Sequence, residues 1–130
     1  MIAQEFVKWD HYVRCMCLGR NTVLPMPYDT NNRRYIPDDN YLTPALKQRV
    51  IDDSLKLVDA LGYDMNTVEW AIKDGVPYAI DFMNPAPDMD VNSLTPQYFD
   101  WVVRHMADLV IDRALNPQPQ LADLRWGKLF

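Results

Sequence analysis

The stretch NTVEWAIKDGVPYAIDFMNPAPDMD, residues 66–90, predicts a β-hairpin. On both sides of Asp74-Gly75, bulky apolar residues alternate with small or charged ones, the pattern of a strand with two unlike faces. Asp-Gly between two such runs is typical of a tight turn joining antiparallel strands. The hairpin is therefore the centre from which the rest of the fold can be assigned.

The register of this hairpin decides which polar side chains meet. With a three-residue loop over residues 74–76, Lys73 would pair with Pro77. Glu69 would then lie directly opposite Asp81, on one face of the sheet. Facing carboxylates repel each other. Either a proton on one acid or a cation between the two would relieve that repulsion.

The end of the second strand adds a neutral oxygen ligand to this pair of acids. Asn84 follows Asp81 closely, and Pro85 favours an end to the strand. Two carboxylates and an amide oxygen suit Mg²⁺, Mn²⁺ or Ca²⁺ rather than zinc. The alternative from spacing alone is a solvated hairpin face, because acids on open strand faces are common.

The same residues resemble the last two strands of the ATP-grasp superfamily, which includes glutathione synthetase, D-alanine–D-alanine ligase and the ribosomal-protein glutamate ligases. In that superfamily the penultimate strand carries a metal-binding acid and the last strand ends in Glu-x-Asn. The resemblance implies a metal site of Glu69, Asp81 and Asn84. Here the two acids are exchanged in length, and the ending is one residue longer than Glu-x-Asn.

The beginning of the chain resembles the superfamily's hinge strand, which holds adenine. By position, the resemblance implies that Gln4 meets the adenine amino group. The backbone of Glu5 and Val7 would then read the base edge. Asp10 is the nearest acid for the ribose hydroxyls.

Arg14 is the candidate catalytic residue. It lies on a predicted strand over residues 11–18, which resembles the strand whose arginine faces the ATP phosphates. An arginine fork suits phosphate oxygens. The alternative is a strand-surface charge paired with a neighbouring acid. Arg33 and Arg34, in a polar segment, would reach a substrate carboxylate or a phosphate, or lie in solvent.

Composition limits the class of protein. A net charge of −5 and a pI near 4.8 over 130 residues argue against nucleic acid as a main partner. No apolar run approaches the roughly 18 residues of a membrane span. Cys15 and Cys17 are expected to be small buried residues rather than a disulfide or a zinc site. We therefore expect a cytoplasmic protein that binds neither nucleic acid nor membrane.

The order of elements predicts an α+β fold with a mostly antiparallel sheet and two long helices on one face. Thr-Pro pairs mark both helix starts, and Gly62 is a natural end for the first helix. The predicted elements are strands over 2–9, 11–18 and 22–26, a loop over 28–42, a helix over 44–61, the hairpin, and a helix over about 96–115.

The resemblance implies that residues 1–130 form one domain like the C-terminal lobe of an ATP-grasp fold, as part of a longer protein. It implies ATP and Mg²⁺ (or Mn²⁺) as cofactors, a small carboxylate substrate, and an acyl phosphate attacked by an amine or thiol. The four glycines are far apart, so no glycine-rich phosphate loop is present and the chain alone is expected to be inactive. The alternatives are a non-catalytic nucleotide- or metal-binding or dimerisation module, and a structural domain without a ligand. Exposed apolar surface predicts a homo-oligomer.

Overall fold

The computed structural model describes residue 3 and residues 5–117. Five strands and two helices occur in this part of the chain. In order they are β1 (His11–Leu18), β2 (Thr22–Asp29), β3 (Arg34–Tyr35), α1 (Pro44–Leu61), β4 (Met65–Lys73), β5 (Val76–Asn84) and α2 (Val91–Leu115).

The strands form one antiparallel sheet in the order β3-β2-β1-β4-β5. The predicted α+β class, with an antiparallel sheet and two long helices, is confirmed. β1 lies at the centre and pairs on both sides, and its alternate residues therefore supply both faces of the sheet. Neither helix, within the described residues, is long and apolar enough to cross a membrane.

The back face of the sheet is covered by α1. Thr43 caps the helix by accepting the N–H of Leu46, Pro44 opens it, and Gly62 ends it with φ 77°, as the sequence predicted. Its fully buried residues Val50, Ser54 and Val58 pack on one side of β1 and β4. The strand residues under this helix are Val13, Cys15, Cys17, Val68, Trp70 and Ile72.

The front face of the sheet carries α2 at one end. Its residues Leu94, Tyr98 and Val102 pack with Met16 and Leu18 of β1, which alternate with the residues under α1. The two helices therefore cover opposite faces, whereas the sequence suggested one shared face. An amphipathic stripe shows that a helix is half buried, but it does not say against which face of a two-sided sheet.

α2 begins earlier than the Thr-Pro signal suggested. Asp90 caps a first turn that starts at Val91, and the helix is interrupted at Thr95, whose φ of 72° and ψ of 155° are not helical. The predicted start at Pro96 therefore marks the beginning of the second, longer helical segment. Thr95 occupies a backbone region that residues other than glycine rarely adopt.

Two segments differ from prediction. We predicted a strand over residues 2–9, but its described residues are not in a strand. Both neighbours of β1 are already taken, so this segment has no free position beside the central strand. We predicted a loop over 28–42, but β2 runs to Asp29 and pairs with the two-residue β3. Asp29 makes that turn by accepting the N–H groups of Asn31 and Asn32.

The two cysteines are free, as predicted, and both are buried on the back face. Burial raises the pKa of the Cys15 thiol well above its usual range and that of Cys17 to about 12. Both side chains are therefore part of the core under α1.

Candidate functional site

The hairpin brings Glu69 and Asp81 opposite each other, as the sequence predicted. The route to this pairing differs from the prediction. Asp74 and Gly75 both have positive φ and form a two-residue turn, so Lys73 pairs with Val76. A bulge in β5 then inserts one residue between the Trp70 and Glu69 positions, and this restores the predicted pairing.

A second bulge in β5 places the asparagine. Beyond the Glu69–Asp81 pair, two residues of β5 lie opposite the single residue Val68, and Asn84 then pairs with Thr67. Thr67 is two residues from Glu69 and therefore lies on the same face. The bulge accommodates the one residue by which this ending exceeds Glu-x-Asn. Asn84 therefore remains on the front face beside the acids.

Glu69 lies at the centre of a buried polar network. Its Oε1 is 2.9 Å from a terminal nitrogen of Arg14, and its Oε2 accepts a hydrogen bond from the Tyr12 hydroxyl. Glu69 is 9% exposed, so the guanidinium supplies the cation that a pair of facing acids requires. This contact agrees with the alternative interpretation of Arg14 from the sequence, a strand charge paired with a neighbouring acid.

The network perturbs both partners of Glu69. Burial, then the hydrogen bond to Glu69, raise the pKa of Tyr12 well above its usual range. Burial acts to lower the pKa of Arg14, but hydrogen bonding with Tyr35 and the charge of Glu69 outweigh it and raise that pKa. Tyr12 therefore stays a neutral donor and Arg14 a cation.

Arg14 also forms one wall of an open cleft. Its guanidinium carbon lies 4.0 Å from the centre of the Tyr28 ring, and its Nε is buried with no hydrogen-bond partner among the described residues. The cleft has a volume of about 230 Å³. Its lining includes a second arginine, hydroxyl groups and the hairpin residues: Arg14, Tyr28, Arg33, Tyr35, Thr67, Glu69, Asn84, Pro87, Asp88 and Ser93.

Two arginines and several hydroxyl groups in one cleft suit an anion with several oxygens. Arg33 is one of the two arginines that the sequence suggested as candidate contacts for a carboxylate or phosphate, and it lines the cleft together with Arg14. In the same cleft, Ser93 donates a hydrogen bond to Asp88, and this hydrogen bond is the largest cause of the lowered pKa of that acid. The lining of the cleft thus carries both cationic and acidic side chains.

The predicted metal residues offer donors suited to a hard cation. Asp81 is exposed, and its carboxylate makes no hydrogen bond or ion pair within residues 5–117. Asn84 lies in the cleft beside Glu69. No group of three or more His, Cys, Asp or Glu side chains among the described residues could hold a metal ion alone. Mg²⁺ typically binds one or two protein carboxylates and takes its other ligands from phosphate and water, so the donor set fits.

The predicted nucleotide-binding residues are more scattered. Gln4 lies outside the described residues. Glu5 is exposed and Val7 is half-buried. The Asp10 carboxylate accepts the N–H of Asp74 at 2.9 Å, so it lies at the hairpin turn, and it does not line the cleft.

Four residues of the site were not predicted from the sequence: Tyr12, Tyr28, Tyr35 and Ser93. One signal was available for Tyr12, because it precedes Arg14 by two residues on a strand and shares its face. Tyr35 could not be found in this way, since it comes from a two-residue strand in a segment that looked irregular.

A second cavity, of about 280 Å³, lies between α1, α2 and β2. Its walls include Leu24, Pro25, Tyr98 and Trp101. Its lining contains none of the predicted nucleotide or metal residues, whereas the smaller cleft contains Arg14, Glu69 and Asn84.

No protein-family model and no curated protein matches the chain. The solved structures that resemble it include two of D-alanine–D-alanine ligases from Bacillus anthracis. The one complexed with ATP has a TM-score of 0.64 and 25% sequence identity over 85% of this chain and 38% of the ligase. The other has a TM-score of 0.63 and 24% identity over 86% of this chain and 42% of the ligase.

The chain thus spans about two fifths of the length of these ligases. The resemblance to the ATP-grasp superfamily that the sequence indicated is confirmed: the chain has an ATP-grasp, ligase-like fold.

Proposed function

We propose that this chain is the ATP- and Mg²⁺-binding half of an ATP-dependent carboxylate–amine (or thiol) ligase that acts through an acyl phosphate. The observation that carries the proposal is the cleft beside the hairpin. There a guanidinium with a buried, unpartnered Nε lies next to facing carboxylates, one of which has no partner among residues 5–117. The likeness to an ATP-complexed ligase supports ATP as the ligand.

In this proposal the cationic residues of the cleft would bind phosphate, and the acidic and amide residues would bind a cation. Arg14 and Arg33 would bind phosphate oxygens, and the contacts of Arg14 with Glu69 and Tyr28 would hold its guanidinium in place. Asp81, Asn84 and Glu69 would hold a divalent cation. That cation would neutralise phosphate charge as the phosphoryl group moves to a carboxylate substrate.

Positioning and charge are what this reaction needs from the protein. The described site contains no paired nucleophile and base, and both cysteines lie in the core. The 130 residues also contain no glycine-rich loop, so a phosphate-covering region would have to come from elsewhere. We therefore expect weak nucleotide binding and no turnover by the chain alone.

A non-catalytic nucleotide-binding module is the second candidate. Both oxygens of Glu69 are engaged, by Arg14 and Tyr12, which leaves a cation fewer free protein oxygens. Turnover separates the two candidates. The chain would be fused to a lobe that carries a phosphate loop and given ATP with an acceptable carboxylate. If the chain is half of a ligase, the fusion should form ADP. If it is a non-catalytic module, the fusion should bind ATP without turnover.

Binding is tested by calorimetry with ATP in excess Mg²⁺, using the wild type, Arg14→Met and Arg49→Met. Arg49 is a matched control, because it pairs with Asp53 on the exposed side of α1, away from the cleft. Wild type and Arg49→Met should bind ATP, and Arg14→Met should lose at least about tenfold in affinity. The absence of heat with wild-type protein at millimolar ATP would contradict the proposal.

A further inference from the structure

Asn66, the second residue of β4, is a fully buried polar residue behind the cleft. Its side-chain amide makes two hydrogen bonds to the neighbouring strand. The Nδ2 group donates to the carbonyl of Phe82 at 2.9 Å, and Oδ1 accepts the backbone N–H of Asn84 at 2.9 Å. One side chain therefore joins the two sides of the second bulge of β5.

The bulge explains why such a side chain is needed. Phe82 and Met83 together lie opposite Val68, so the regular ladder of backbone hydrogen bonds is broken at this point. A buried backbone group left without a partner is costly. An asparagine amide has both a donor and an acceptor, and it takes the place of the missing ladder contacts.

We infer that Asn66 is a positioning residue, which fixes Asn84 beside the two acids through the bulge. The inference rests on the proposed function for the use of Asn84, though the placement itself can be tested without nucleotide. The backbone N–H of Asn84 donates to Asn66 Oδ1, so Asn66 holds the same residue that would contact the cation. Contacts of this kind behind a ligand often change metal affinity by about 10- to 100-fold.

The contacts of Asn66 also account for the length of the Asp81-Phe82-Met83-Asn84 ending. If Met83 were removed, the pairing set by Glu69 and Asp81 would continue without a bulge, and the asparagine would still face Thr67. Met83 is 51% exposed, so its removal opens no core cavity. In that shortened strand the backbone ladder would no longer need the Asn66 amide.

The test uses Asn66→Ala, deletion of Met83, and both changes together. Hydrogen exchange of the Asn84 amide is measured by NMR relative to core amides of β1. Affinity for Mn²⁺ with ATP is measured on the same samples. Ser54→Ala is the matched control, since it removes another buried side-chain hydrogen bond, to Trp70, without touching the bulge.

We expect Asn66→Ala to speed exchange at Asn84 by at least about tenfold relative to β1, and to weaken Mn²⁺ binding by about tenfold or more. Deletion of Met83 should restore both properties in the Asn66→Ala background. Ser54→Ala should change neither ratio, although it lowers overall stability. If Asn66→Ala alone does not fold, the double variant should still match the Met83 deletion alone.

Retained protection at Asn84 in Asn66→Ala would overturn the inference, and so would a loss that the shortened strand does not restore. Failure of the proposed function has a different signature. In that case the wild type binds no Mn²⁺ with ATP, while the exchange data still decide whether Asn66 positions Asn84.

Discussion

The two faces of β1 and β4 are made by alternate residues of the same strands, yet one is an apolar core and the other a polar site. Behind the sheet, Val13, Trp70 and Ile72 pack under α1 and are at most 4% exposed. In front, Arg14 and Glu69 form a polar network beside an open cleft. Because strand residues alternate, each front side chain is anchored by back-face neighbours on either side. The core therefore holds the site in place, and we expect substitutions on the back face to affect mainly stability and those on the front face to affect binding as well.

The largest loss of stability is expected on the back face, at Trp70. Its indole N–H donates to the buried Ser54 hydroxyl at 2.9 Å, and the ring is 4% exposed. Trp70→Ala should cost about 3–5 kcal/mol of unfolding free energy, because it leaves a cavity under α1. Trp70→Phe should cost about 1–2 kcal/mol, through the lost hydrogen bond and a smaller void. Urea denaturation measures both losses. If Trp70→Ala and Trp70→Phe cost the same unfolding free energy, the region around Trp70 is not tightly packed.

On the front face, Glu69→Gln should cost about 2 kcal/mol, since it leaves the partly buried Arg14 without its ionic partner. Asp100→Asn is the control, because its pairing with Arg104 is exposed on α2 and should be worth no more than about 0.5 kcal/mol. Urea denaturation at neutral pH compares the two. A Glu69→Gln cost as small as the control would mean that the network does not hold Arg14.

Tyr12→Phe should cost about 1 kcal/mol at neutral pH, for the hydrogen bond to Glu69. The cost should shrink at alkaline pH. The folded pKa of Tyr12 is raised, so its contribution is complete below about pH 10, the pKa of an unfolded tyrosine, and is lost as pH rises through the folded pKa. Stability curves of both proteins from pH 8 to 11.5 should therefore converge, whereas a constant gap would argue against the raised pKa.

The local parts of this structure could be predicted from the sequence. The bounds of β1 and α1 match the predicted ones, because strand alternation and the caps Thr43 and Gly62 act within a few residues. The pairing of Glu69 with Asp81 was also predicted, although by a loop one residue too long. A bulge compensated for that error.

What could not be predicted depends on contacts distant in sequence. The two bulges are not visible in the alternation of β5, and the second is supported by Asn66, 16 and 18 positions from the residues that it binds. The cleft depends on Tyr35 and Arg33, which reach it only because β3 folds back on β2. The face chosen by α2 likewise follows from packing with Met16 and Leu18.

The central claim, that the cleft binds nucleotide with a divalent cation, is tested most directly at Asp81. Thermal melts of wild type and Asp81→Asn are compared without ligand, with MnCl₂, and with MnCl₂ and ATP. Without ligand the variant should be as stable as wild type or slightly more so, since it removes one of two facing carboxylates. Mn²⁺ with ATP should raise the Tm of wild type, because ligands that bind only the folded state stabilise it, and should leave Asp81→Asn unchanged. No shift in wild type, or an equal shift in both proteins, would contradict the claim.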